Sequence, residues 1–230
     1  MLRLLPAAFI TLFTLTIGCG PSINQAYKSE IERRVAGLRP GSTDYPASDA
    51  AEPMPLAVGQ WIELKMVDSE HRPGFMTYKI VGQEGDAFWI ETANLTYTGK
   101  HEVRMLVNFG DRKNLESVAV QSFKIRQDGD IQEYPPGLLG MMKSVWKPLV
   151  RSFIIQWTNL PQEDAKTPAG SFASCYKQRT TASFGPYEQT SDVWSHPAVP
   201  INGLVRSEGV DKPTSIELVA FGTAGAKSTF

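Results

Sequence analysis

The residues able to do acid–base or nucleophilic chemistry are few and scattered along the chain. They are His71, His101, His196 and Cys175. No two histidines have the H-x-x-x-H spacing of a zinc site, and no G-x-S-x-G or phosphate-binding glycine motif is present. Cys175 lies in an alternating segment, which favours a small buried side chain over a nucleophile paired with a distant histidine. We therefore expect no enzyme activity, no metal site and no cofactor.

The first twenty residues indicate a different chemistry, the attachment of lipid. Arg3 supplies a positive start, an uncharged apolar run follows over residues 4–17, and Gly18-Cys19-Gly20 ends it. Residues 15–19, LTIGC, resemble the lipobox of bacterial lipoproteins. The resemblance implies that residues 1–18 are a signal peptide and that Cys19 carries palmitate-type chains that hold the protein on a membrane. By the same resemblance, Gly20 after the cysteine implies attachment to the outer membrane, facing the periplasm. The alternative to lipidation is an ordinary cleaved signal peptide followed by an incidental cysteine.

Residues 138–154 form the most helix-like stretch of the mature chain. On a helical wheel, its large apolar side chains share one half and its basic side chains follow at i, i+4 and i+8 on the other. Pro148 is expected to kink or split this helix. The proposed ligand-contacting positions are Leu138, Met141, Met142, Val145, Trp146, Leu149 and Phe153, and the basic rim is Lys143, Lys147 and Arg151.

Three roles fit this amphipathic helix, and the pattern alone leaves them open. The helix can be core, packed in the concave face of a sheet with its basic residues at the rim. It can be a lid over a cavity that holds a lipid or acyl chain, since methionines suit an adaptable surface. It can also lie on a membrane surface, because basic residues opposite a Trp/Phe/Leu face are typical of interfacial helices.

The N-terminal part of the mature chain, residues 19–55, is predicted to be a lipidated start, a short helix and a linker. Residues 22–38 have apolar positions on one helical face, with Ser22 as the N-cap. Residues 40–56 are rich in Pro, Ala, Ser and Asp, which favours a linker that separates the folded part from the anchor. Residues 222–226 at the other end read as a loose tail.

Residues 56–230 are predicted to form one β domain. Alternating apolar and polar residues indicate strands over 58–67, 75–81, 87–98, 103–109, 117–126, 170–179, 189–194, 204–208 and 215–221. Short turns between the first four strands favour an antiparallel meander. The predicted fold class is mainly β (α+β), a curved antiparallel sheet or half-barrel with the amphipathic helix packed in its concave face.

A larger pattern combines the lipobox, the predicted meander, the intervening apolar helix and a set of residues in the C-terminal third. These residues are Gly170, Phe172, Val193, Trp194, Pro197, Val199, Pro200, Gly203, Leu204, Val205, Glu217, Leu218 and Gly222. With this pattern, residues 56–222 resemble the LolA/LolB-like superfamily of half-barrel envelope proteins. The resemblance implies a curved sheet around an apolar cavity that helices plug, and it assigns no functional residue to this chain. The leading function is then non-enzymatic binding of a lipid, lipoprotein or other apolar ligand.

Charge balance limits the classes of partner. The chain has 23 basic and 24 acidic residues, a formal net charge of −1, so nothing in its composition favours nucleic acid. The expected partners are a membrane through Cys19, a lipid or lipoprotein ligand, and an envelope protein. The last of these supports the alternative function, a structural or adaptor lipoprotein that binds another protein.

Overall fold

The strands of the described chain form one curved, unclosed sheet, which confirms the predicted fold class. The structure is a computed structural model that describes residues 22–127, 129–154, 157–184 and 187–230. The predicted signal peptide and Cys19 lie outside these residues. Among the helices in these segments, none is long and apolar enough to cross a bilayer.

The strand order places the first and last predicted strands of the domain side by side. The order is β1-β9-β10-β11-β12-β2-β3-β4-β5-β6-β7, and β8 pairs with β9 off this path. All described pairings are antiparallel except that of β1 with β9. The strands are β1 (Asp44–Tyr45), β2 (Trp61–Val67), β3 (Pro73–Glu84), β4 (Ala87–Thr96), β5 (Gly99–Asn108), β6 (Ala119–Gln127), β7 (Asp130–Tyr134), β8 (Gln162–Thr167), β9 (Gly170–Phe184), β10 (Tyr187–Ser195), β11 (Leu204–Gly209) and β12 (Ser215–Gly222).

The inner face of the sheet, defined as the face that carries the main apolar core, follows from the period-2 alternation of the strands. Across β3 to β6, Ile80, Ile90, Met105 and Phe123 are register partners in one row, and each is fully buried. Side chains one position away point to the opposite, outer face. The apolar residues that alternate along the strands therefore form one apolar layer, which other elements must shield from water.

Two helices supply that cover, and the predicted helix is split at a different place from the expected kink or break at Pro148. They are α2 (Pro136–Leu139) and α3 (Lys143–Arg151), so the break falls between residues 139 and 143 and Pro148 lies within α3. The Trp146 indole Nε1–H donates to the Leu139 carbonyl at 2.9 Å, which takes the acceptor at the end of α2. The buried indole thus bonds the last residue of α2 at the break, and Pro148 does not interrupt α3.

Three strands, β1, β7 and β8, were missing from the prediction. The sequences of β7 and β8 lack apolar alternation. β7 is an edge strand whose first four residues are exposed, and β8 buries only Ala165 and Thr167. Backbone pairing with β6 and β9 holds them in the sheet. An edge strand needs little burial, so its polar sequence resembles a loop.

The N-terminal helix covers part of the outer face. Helix α1 (Gln25–Gly37) begins after Asn24, whose side chain accepts from the Ala26 and Tyr27 amides, so the predicted cap at Ser22 is wrong. Ile31 is fully buried against Phe75 and Leu95 of β3 and β4. This helix therefore packs on the side of the domain.

Residues 40–56, expected to be a free linker, run along the domain. Tyr45 stacks on Phe172 with ring centroids 4.4 Å apart, and the Ser171 amide donates to the Thr43 carbonyl at 2.9 Å. β1 adds a short parallel pairing to β9. A Pro- and Ala-rich composition suppresses regular structure, but it did not prevent an aromatic anchor from docking.

Candidate functional site

The predicted ligand-contacting residues of the helix divide into a buried group and an exposed one. Met142, Trp146 and Phe153 belong to the main apolar core, and Phe153 is fully buried between Tyr78 and Phe109. Leu138 and Leu149 are half-buried, and the side chain of Val145 lies outside the description. Met141, by contrast, is 75% exposed. The seven positions therefore do not line one surface, and their role in binding stays a prediction.

The predicted basic rim is partly used within the molecule. Lys147 pairs with Glu116 at 2.6 Å, and this hydrogen bond lowers the pKa of that carboxyl. Lys143 and Arg151 are exposed. One of the three cations thus ties α3 to the loop before β6, and the other two face solvent.

A half-buried arginine holds the residues that follow α3. Arg112 donates to the carbonyl of Phe153 at 3.4 Å and to the carbonyl of Ile201. Burial lowers the pKa of its guanidinium to about 10. Three segments therefore meet at one cation, which opposes movement of α3 away from the sheet.

The candidate catalytic residues do not form a catalytic arrangement. Cys175 is fully buried in the core, as predicted, and burial raises the pKa of its thiol to about 12, so the nucleophilic thiolate is disfavoured. His71 and His101 are exposed. In the segments that the structure covers, no three His, Cys, Asp or Glu side chains cluster as metal ligands would.

His196 has a structural position instead. It is buried, its Nδ1 accepts from the Ala198 amide at 3.1 Å, and its Nε2 lies 3.1 Å from the Pro46 carbonyl. These partners assign the neutral tautomer with hydrogen on Nε2. The ring thereby fastens residues 40–56 to the loop between β10 and β11.

We expect protonation of His196 to destabilise the fold. Burial lowers its pKa below the ordinary value of 6.5, so below that pH the unfolded chain binds more protons than the folded one. The stabilisation present above pH 6.5 is lost as pH falls through the folded-state pKa. Urea unfolding between pH 7.5 and 5 should therefore show a shallower pH dependence in His196→Gln than in the wild type.

The control for this titration is His101→Gln, because His101 is exposed on β5. Its pH dependence should match that of the wild type. If the free energy of unfolding depends equally on pH in the wild type and in His196→Gln, His196 does not contribute to acid sensitivity.

The outer face holds a groove that the sequence analysis missed. Its floor is β3 to β5, and its walls are α1 and residues 226–230, here named the strap. A cavity of about 290 Å³ opens between them, and a second of about 260 Å³ shares Lys100 and Glu102 with it. The first cavity is lined in part by Arg34, Phe75, Lys79, Glu91, Glu102 and Phe230.

Charged residues make up much of the groove and are unusually buried. Glu91 and Glu102 are 4% and 6% exposed. Glu102 pairs with Lys100 at 2.9 Å and with Arg126 at 3.3 Å. Arg34 pairs with Glu63 and lies over the Phe75 ring at 3.7 Å. The groove therefore presents fixed charges of both signs beside an aromatic surface.

The strap is bound to this groove by side-chain contacts. Glu91 accepts from the Ser228 hydroxyl at 2.5 Å, the Thr229 amide at 2.9 Å and the Thr229 hydroxyl at 3.2 Å. Arg126 donates to the Thr229 carbonyl at 2.7 Å and lies 4.4 Å from the Phe230 ring centre. Residues 222–226 also differ from the loose tail expected, since the Ala226 amide donates to the Gly59 carbonyl at 2.8 Å.

The groove was missed because charged residues that alternate with apolar ones are usually the solvated face of a strand. The available signal was the accumulation of Lys79, Glu91, Glu102 and Arg104 on that face of neighbouring strands. Only their register, Lys79 beside Glu91 and Glu91 beside Arg104, shows that they form one surface. Nothing in the sequence indicated that a segment more than a hundred residues later covers it.

No family model and no curated protein sequence matches the chain. Three solved structures resemble it. A proposed exported protein of Bacteroides fragilis with a YmcC-like fold has 12% identity and a TM-score of 0.41, over 76% of this chain and 100% of that one. A hypothetical protein of Chlamydia trachomatis has 10% identity and a TM-score of 0.41, over 75% and 90%. A proposed lipoprotein of Parabacteroides distasonis has 14% identity and a TM-score of 0.33, over 76% and 100%.

Proposed function

We propose that this chain is a lipid-anchored, non-enzymatic protein of the bacterial envelope that binds a segment of another envelope protein in the outer groove. The anchor is Cys19, and Gly20 after it favours the outer membrane, facing the periplasm. The observation that carries the binding role is the division between the two faces. The inner face is covered by buried side chains of α2 and α3, whereas the outer face has a groove with buried charges.

The composition of the groove favours a protein ligand over a free lipid. Polar and charged side chains, among them Lys79, Glu91 and Glu102, stand beside Phe75 and Leu95. A buried carboxylate needs hydrogen-bond donors, which a polypeptide supplies through its amides and hydroxyls. An acyl chain would offer it none.

A second function, carriage of a lipid or other apolar ligand beneath the helix, is supported by the break between α2 and α3. Neither helix has a side-chain N-cap, so the pair lacks one ordinary stabiliser. Opening would expose Trp146, Val150 and Phe153. At about 1.5–3 kcal/mol per large side chain, exposure of the three costs on the order of 5–9 kcal/mol. A ligand would have to repay this cost, so this function stands second.

The proposed function can be tested by photo-crosslinking in the native envelope. Lys100 lines the groove with an exposed side chain, and Val210 is exposed in the turn between β11 and β12. With benzoylphenylalanine at position 100 we expect one dominant protein adduct, and with the same group at position 210 we expect none. A Cys19→Ala variant should leave the membrane fraction and lose that adduct.

Two outcomes would contradict the proposal. Identical adducts from positions 100 and 210 would mean that the groove has no specific partner. Retention of the Cys19→Ala variant in the membrane fraction would show that a lipid on Cys19 does not anchor the protein.

A further inference from the structure

We propose that the strap is a built-in occupant of the outer groove. The ligand that replaces it is an extended peptide with two adjacent hydroxyl side chains followed by an aromatic one. This inference rests on the proposed function, because it specifies the chemistry of the protein segment that the groove binds.

The floor of the groove recognises hydroxyl groups at two consecutive residues. The carboxylate of Glu91 accepts from both hydroxyls and from the amide between them, and Arg104 donates to the Ser228 hydroxyl at 3.3 Å. Because Glu91 is almost fully buried, its oxygens depend on these donors and on Arg104, which lies 3.7 Å away. Alanine at either position would remove a donor that the site requires.

The next subsite recognises an aromatic side chain and the main chain. Arg126 donates to the carbonyl of Thr229 and places its guanidinium over the Phe230 ring. Its position is fixed from the other side by Glu102. Planar guanidinium groups stack well on aromatic faces, so this subsite favours Phe, Tyr or Trp.

The strap does not use everything that the groove offers. The cavity of about 290 Å³ remains open beside Phe230, with Phe75, Leu95 and Lys100 in its lining. A longer peptide could fill this space as well as the strap's own contacts.

Exchange is feasible because the strap is attached only to the surface of the sheet. Residues 226–230 belong to no strand and to none of the apolar core clusters. Tethering nevertheless gives the strap a high effective concentration. A competing peptide must therefore make additional contacts, and the open cavity supplies the surface for them.

The test is binding of a fluorescent, C-terminally amidated peptide with the sequence of residues 224–230 to the full chain in detergent. Anisotropy should show at least tenfold tighter binding to Phe230→Ala, whose strap is weakened, than to the wild type. A second variant adds Ser228→Gly and Thr229→Gly and should bind more tightly still. Adding Glu91→Gln to either variant should weaken binding at least tenfold, whereas adding Glu133→Gln, on the exposed edge strand, should not.

A peptide with alanine in place of both hydroxyl residues is the matched ligand control. The proposal is overturned if folded strap variants bind no peptide, or bind the alanine peptide equally well. These failures are distinct from failure of the proposed function. If a groove-specific adduct forms in cells but the peptide does not bind, the proposed function holds and the ligand has a different chemistry from the strap. Peptide binding without a crosslinked adduct would support the replaceable strap and contradict the proposal that the groove binds an envelope protein.

Discussion

Replacing Phe153 by alanine is expected to lower the free energy of unfolding by about 3–5 kcal/mol, the usual cost of deleting a buried ring. Phe153 is fully buried, and its ring centroid lies 5.5 Å from those of Tyr78 and Phe109. At about 2–4 °C per kcal/mol for a domain of this size, the melting temperature should fall by roughly 6–20 °C. Thermal and urea unfolding followed by circular dichroism would measure both quantities.

Met141→Ala is the matched control, because Met141 belongs to the same predicted helical stretch, residues 138–154, but is 75% exposed. Its substitution should change the free energy of unfolding by no more than about 0.5 kcal/mol. If Phe153→Ala cost no more than this control, α3 would not be core. Lipid carriage beneath a movable helix would then become the leading function.

Replacing Glu91 by alanine is expected to release the strap and to cost about 1–3 kcal/mol, because removal of the buried carboxylate leaves its donors without their acceptor. Arg104 would lose its carboxylate, and Ser228 and Thr229 would lose their shared acceptor. Limited trypsin digestion reports the release directly. Cleavage after Lys227 should become at least about tenfold faster, since cleavage follows the population of the open form.

The control for Glu91→Ala is Glu133→Ala. Glu133 pairs with Lys124 at 3.0 Å, but its side chain is 61% exposed, and such ion pairs contribute about 0–1 kcal/mol. Its cleavage after Lys227 should proceed at the wild-type rate. Equal cleavage rates in the wild type and Glu91→Ala, with the fold intact, would show that the strap does not depend on Glu91.

The two experiments separate the roles of the two faces. Phe153 probes whether the inner face is a packed core, and Glu91 probes whether the outer groove is held shut by the strap. A protein that binds on the outer face should tolerate strap release with its core intact. Loss of the whole fold in Glu91→Ala would instead make the strap a structural element.

Local patterns determined much of the fold. Period-2 alternation identified most strands, because one face of each is buried and the other is not. The amphipathic stretch over 138–154 was recognised as helical, and its burial of Trp146 and Phe153 follows from the same wheel. Cys175 was expected inside the core, and it is. In each case the information lies within a few residues of the feature.

Only the tertiary structure decided the features that depend on distant residues. The docking of residues 40–56 follows from the contacts of Tyr45 with Phe172 and of His196 with Pro46. The outer groove joins Glu91 to Ser228 across 137 positions. Charged side chains on a strand are expected to face solvent. Here strand register brings them together and a distant segment covers them. Most strands and the amphipathic helix could therefore be predicted from sequence, whereas the groove required the fold.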